Sequence, residues 1–180
     1  MGTRRRAREL AMQALFYMDT QKNSSPKMLE RFCENFNLPQ KVRPFFLQLV
    51  NGVLAAQPQI DFLIEKYSKN WKVQRMSCVD RNVMRVAVFE MLFCPDIPPK
   101  VSINEAIDVA KKFGTEESGA FINGIVDRIR ILLDLVQFGL ALSVSLAKAA
   151  EEPGAQGGHT GKIRSDDPAQ PERRQHQRVP

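Results

Sequence analysis

The stretch Met76–Cys94, MSCVDRNVMRVAVFEMLFC, constrains the fold more than any other part of the chain. Val79, Val83, Val86, Ala87, Met91 and Leu92 make one helical stripe, and Met84, Val88 and Phe89 fill much of the remaining circumference. A helix apolar on most sides belongs in the middle of a domain, surrounded by other elements. Ser77 followed by Asp80 reads as an N-cap with an acidic first turn, and Pro95 ends the helix. The few charges, Asp80, Arg81, Arg85 and Glu90, must reach an edge, pair with each other or meet a partner.

The surrounding segments supply amphipathic helices to enclose it. The first is expected from after Thr3 to about Asp19, with Ala7, Leu10, Ala11, Ala14, Leu15 and Met18 on its apolar face. Arg5, Met12 and Phe16 lie on another side, with Arg8 at its edge. A second helix starts at Ser25-Pro26 and uses Met28, Leu29, Phe32, Cys33 and Phe36. A third opens at Leu38-Pro39, and a fourth is expected from about Pro58 with Ile60, Leu63, Ile64 and Tyr67. Trp71, in the connection that follows, is expected to cap the core. Ser102-Ile-Asn-Glu105 reads as a capping box and Gly114 as a C′ glycine. Thr115 then caps a last helix carrying Phe121, Ile122, Ile125, Val126, Ile129, Leu132 and Leu133. No segment alternates with period two, so the prediction is all-α, about seven helices. The helical domain covers 1–135, a helical extension is possible over 136–150, and the Pro-, Gly- and charge-rich 151–180 reads as a disordered tail.

Chemistry is sparse. Both histidines, His159 and His176, fall in the tail, and no phosphate loop, nucleophile elbow or dinucleotide fingerprint occurs. The three cysteines are far apart, so no metal site, disulfide framework or cofactor is expected, and reduced thiols in a cytoplasm are the default. No apolar run is long enough to cross a membrane. Catalysis is therefore not expected.

The net charge of +6 points to an anionic partner, nucleic acid first. Arg4, Arg5, Arg6 and Arg8 cluster at one terminus, where they can neutralise phosphates or form a solvated helix start. Phe16 can stack on an unpaired base or touch a neighbouring helix.

RRRARELAMQALF at 4–16, VDRNVMRVAVFEML at 79–92 and IPPKVSINEAIDVAKKFGTEESGAFINGIVDRI at 97–129 resemble the bacterial transcription antitermination factor NusB family in residue type, order and spacing. The resemblance spans about residues 3 to 133. It implies two small helical bundles packed across each other. It also implies binding of boxA, a single-stranded RNA element, together with the small-subunit ribosomal protein that doubles as NusE. The implied setting is an RNA polymerase antitermination complex that reads through terminators, notably in ribosomal RNA operons.

Carried over by position, the resemblance implies RNA contacts from Arg4, Arg5, Arg6, Arg8, Phe16, Lys111, Lys112 and Phe121. Phe16 stands where the family usually has tyrosine. Phe121 has a second reading as core, and the two lysines a second reading as a solvated face. Glu117 falls where the family has an acidic residue near the same surface. Asp80 matches an acidic residue of the NusE-binding surface, with Arg81 and Met84 on the neighbouring turn, although capping already accounts for Asp80. Two other readings stay open: a helical interaction module or homodimer, and a fragment of a ribosomal RNA methyltransferase with a NusB-like domain.

Overall fold

The computed structural model describes residues 2–69 and 71–151, with side chains to 143 apart from that of 141, and holds six α-helices among them. They are α1 (Thr3–Gln21), α2 (Pro26–Asn35), α3 (Arg43–Tyr67), α4 (Cys78–Phe93), α5 (Pro99–Phe113) and α6 (Ser118–Glu151), with a 3₁₀ turn at Val73–Arg75 before α4. No strand occurs among the described residues, and the fold is all-α. The expected tail lies, from 152 on, outside the described residues. Everything described below belongs to the unit spanning Met1–Leu142.

The predicted centre is α4. Val83, Met84, Val86, Ala87, Val88 and Phe89 are all buried, and the helix packs on α1, α3 and α5. Its start follows the sequence reading, since the Ser77 hydroxyl accepts the Asp80 N–H at 3.0 Å. One buried cluster joins residues from all six helices, including Ile122, Ile125, Val126 and Ile129 of α6. Close packing of α3 on α4 needs Gly52, because a Cβ there would overlap the Phe89 ring.

Several expectations fail, among them that α3 opens at Leu38-Pro39 and that Thr115 caps α6, since α3 starts at Arg43 and α6 at Ser118. Pro58 does not begin a helix; it lies inside α3. Proline removes an N–H and crowds the preceding turn, at about 3 kcal/mol. The buried series Val50, Val53, Ile60 and Ile64 stays in helical phase across it, and that burial outweighs the local cost. The Ser102–Glu105 capping box does not form, because α5 starts earlier, with Pro99 in its first turn. Both side chains instead reach other helices. Gly114 ends α5 with φ −97°, so no left-handed C′ residue is used. Trp71 does not cap the core; it is 54% exposed.

Candidate nucleic-acid interface

Two groups of residues are of interest. The first is the seam between the N-terminal half of α1 and α5. The Arg5 guanidinium donates to Glu105 (2.6 Å) and Asp108 (2.9 Å). Arg4 donates to Asp96 (2.7 Å), and Arg6 to Glu9 (3.1 Å). Lys112 reaches across from α5 to Glu9 at 2.8 Å. Arg8 is of a different kind. It is 5% exposed and donates through Nε and Nη2 to Glu90 (2.7 and 2.9 Å), which is itself 0% exposed and also accepts from the Ser102 hydroxyl.

Along this seam every arginine picked out by sequence faces a carboxylate. The Arg5 hydrogen bond, helped by Arg8, holds Glu105 below the usual carboxylate range, and Glu105 in turn raises Arg5. Arg4, Arg5, Arg6 and Lys112 remain well exposed, so their pairs are exchangeable surface pairs. Arg8 departs from the RNA-contact expectation: at 5% exposure, its buried bidentate pair leaves the guanidinium little surface for a phosphate. Met12, expected beside Phe16 on the outer side, is also core, while Phe16 is 39% exposed. Lys111 is exposed at the end of α5, and its stem runs close to Gly119 of α6.

The start of α4 gives a second correction. Met84 is 0% exposed, so it presents nothing to a partner. Arg81 is tied to Asp19 at 2.8 Å, in a network that also binds Asn82 and Arg85 to Asp19 and Arg85 to Asp61. This network locks the ends of α1, α3 and α4 together and leaves Arg81 little freedom. Asp80 is 9% exposed, and its Oδ1 has no hydrogen-bond partner.

The second group lies between the 3₁₀ turn and the start of α6. Trp71 meets Phe121 edge-on, with ring centroids 6.1 Å apart. Phe121 is half-buried and packs against the core. The aromatic pair separates two clefts. One, of about 200 Å³, is lined by Arg75, Asp80 and Glu117 as well as both rings. The other, of about 400 Å³, carries Lys69 and Arg128. Trp71, expected to cap the core, and Arg75, which sequence reasoning did not single out, both line the first of these clefts. The available signal was a single tryptophan in a polar connection studded with Lys69, Lys72 and Arg75.

Neither group offers an obvious nucleophile. Burial, with Glu90 and Asp96 adding to it, pushes the Cys94 thiol up to about 11. Among the described residues no group of histidine, cysteine and acidic side chains could hold a metal ion, and no helix is long and apolar enough to cross a membrane.

Known proteins match both the sequence and this arrangement. The NusB family model matches residues 5–130. The transcription antitermination protein NusB of Desulforapulum autotrophicum is 56% identical over 137 residues, which is 75% of this chain and 96% of that protein. Among solved structures, T. maritima NusB aligns with a TM-score of 0.64 at 40% identity, over 70% of this chain and 89% of that one. A structure of antitermination factors NusB and NusE in complex with dsRNA aligns with a TM-score of 0.65 at 26% identity, over 72% of this chain and 96% of that one. With the family match covering most of the chain and more than half of the aligned residues identical to those of such a relative, the chain belongs to the NusB family.

Proposed function

We propose that this chain is a transcription antitermination factor that binds boxA-type single-stranded RNA jointly with a NusE-like ribosomal protein and, in the RNA polymerase antitermination complex, promotes read-through in ribosomal RNA operons. The observation that carries the reading is the family membership, joined to the likeness to a NusB–NusE–RNA assembly. The chain works by binding and not by catalysis, in the cytoplasm where RNA is made.

The RNA surface comprises Arg4, Arg5, Arg6 and Lys112 on the seam, Lys111 at the end of α5, and the aromatics Phe16 and Phe121. Their exposure supports this set. Each seam cation must exchange a carboxylate for a phosphate. Surface pairs worth roughly 0.2–1 kcal/mol allow that exchange, and RNA counterion release drives it. The ribosomal protein completes a composite RNA surface, so RNA and partner must tighten each other by the same factor.

The test is a fluorescence-anisotropy titration of boxA RNA and a scrambled control, with and without NusE, at two salt concentrations. Preference for boxA, strengthened by NusE and weakened by combined Arg4→Ala, Arg5→Ala and Arg6→Ala, is the expected result. Equal, steeply salt-sensitive binding to both RNAs sinks the reading.

A second reading, self-association, is favoured by the exposed Leu135, Val136, Phe138 and Leu142 on α6. Light scattering on the eluting protein distinguishes a homodimer from a monomer.

A further inference from the structure

We propose that Glu105 is a positioning residue for RNA binding: it holds the Arg5 guanidinium by one edge and keeps that hold in the complex, while the other edge takes a phosphate. The inference rests on the RNA-binding reading above and deepens it.

The seam carboxylates differ in depth. Asp96 and Asp108 are outlying partners with well-exposed side chains. The Glu105 side chain is only 15% exposed, and it is fastened from the interior. Its Oε2 accepts from Arg8 Nη1 at 3.3 Å. Arg8 is fixed in turn by the buried Glu90, which takes its Nε and Nη2, and its guanidinium lies 5.6 Å from the centre of the Phe45 ring. The Ser102 hydroxyl secures Glu90 from α5 at 2.8 Å. A line of charge-assisted hydrogen bonds therefore runs from Glu90 through Arg8 and Glu105 to the exposed Arg5. Arg5 is thus tied to a carboxylate that cannot easily move.

The geometry divides the Arg5 guanidinium in two. Glu105 takes the edge made by Nε and Nη2, at 3.1 and 2.6 Å. Nη2 also donates to Asp108, and Nη1 has no partner among the described residues. A guanidinium carries five N–H groups in a fixed plane, and its Nη1–Nη2 end can meet two phosphate oxygens just as its side edge meets a carboxylate. For Arg5, then, the carboxylate exchanged for a phosphate is Asp108. Glu105 stays in place.

Two effects of opposite sign act at Glu105. An arginine free to sample rotamers must be ordered when RNA arrives, which weakens binding by roughly 2- to 12-fold per immobilised side chain. Holding Arg5 in advance removes that cost. Against this stands repulsion between any carboxylate and a nearby phosphate. The charge of Glu105 is already matched by two guanidiniums, Arg5 and Arg8, so the repulsion it adds is small and alignment wins. Asp108 is half-exposed and is not fastened by Arg8, so for it repulsion and competition win.

The test uses the full-length chain with NusE and labelled boxA RNA, in a double-mutant cycle over Arg5 and Glu105. Glu105→Ala is expected to weaken binding by roughly 2- to 12-fold in the wild-type background and not to weaken it in the Arg5→Ala background. Glu105→Gln keeps one acceptor for Arg5 and should recover part of the loss. Asp108→Asn should shift the affinity the other way. Thermal melting of each variant checks that the fold persists.

Unchanged or tighter binding by Glu105→Ala in the wild-type background would overturn the inference and make Glu105 one more competitor for Arg5. Equal weakening in both backgrounds would overturn it too, because the effect would not pass through Arg5. In either case, a loss on combined substitution of Arg4, Arg5 and Arg6 would leave the RNA-binding reading itself standing. Binding of boxA by that triple variant at wild-type strength overturns both.

Discussion

The α1–α5 seam and the Trp71–Phe121 cleft face the same problem with opposite solutions. At the seam, Arg4, Arg5, Arg6, Arg8 and Lys112 meet Asp96, Glu9, Glu90, Glu105 and Asp108, five cations against five carboxylates. At the cleft, an exposed tryptophan, an exposed arginine and a carboxylate oxygen are left without such partners. Counting basic residues along a sequence measures the first region and overlooks the second. What matters for a ligand is how much of the charge and apolar surface is still unspent in the folded chain.

The seam itself divides into a buried and an exposed part, and the buried part carries the largest expected effect. Glu90→Ala would leave the buried Arg8 guanidinium with only its longer contact to Glu105 at 3.3 Å, which costs up to about 3–5 kcal/mol. Urea unfolding should register this as a lower midpoint with an unchanged slope. A loss below about 1 kcal/mol would mean that Arg8 swings out to solvent, and would return it to the RNA surface.

Arg8 also marks the limit of legibility in the sequence. Helix periodicity located α1, α4 and their buried faces well, because burial repeats every three to four residues whatever the neighbours are. Arg8 and Glu90 are 82 positions apart, and nothing local announces that they meet. Ser102 and Glu105 illustrate the same point. Their spacing suits a capping box, yet their partners are Glu90 and Arg5, on other helices. The merging of two expected helices into α3 is a related case, in which the tertiary burial of Ile60 and Ile64 overrides a local proline signal. Trp71 is a further case: a lone tryptophan in the connection before α4 suggests a cap on the core, yet the ring is 54% exposed and meets only the edge of Phe121 among the described aromatic rings.

Acid should loosen the seam through Glu105. The folded-state pKa of Glu105 is depressed, first by its hydrogen bond from Arg5 and then by Arg8. A depressed carboxylate contributes stability that is fully present above its unfolded value, about 4.3 for glutamate, and is lost as pH falls through the lower folded value. Thermal midpoints measured from pH 6 downward, about two units to either side of this window, should therefore fall more steeply for the wild type than for Glu105→Gln. Parallel curves would show that the Arg5–Glu105 pair contributes nothing net.

Smaller still is the competition between seam carboxylates and RNA phosphates. Asp108 is half-exposed and holds Arg5 at 2.9 Å. If the pair must open for RNA to bind, Asp108→Asn removes a competitor worth roughly 0.2–1 kcal/mol. The expected result is tighter boxA binding at low salt, by at most about fivefold, with the gain fading as salt rises. Weaker binding would indicate that Asp108 holds Arg5 in its productive position.

The smallest effect is expected at Phe16, on the same helix as the paired arginines but exposed to 39%. The family usually has tyrosine here, and the exposed ring leaves room for a hydroxyl to reach water. Phe16→Tyr should therefore leave the unfolding free energy unchanged within about 0.5 kcal/mol. Its effect on boxA affinity separates two uses of the ring. If the ring acts only by stacking, Phe16→Tyr is neutral and Phe16→Ala weakens binding. If a hydroxyl is needed for a hydrogen bond to RNA, Phe16→Tyr improves binding by up to roughly tenfold, the equivalent of one net hydrogen bond. Neutrality of both variants would leave the arginine seam without an aromatic contribution from Phe16, and base stacking would then fall to Phe121 and its neighbour Trp71.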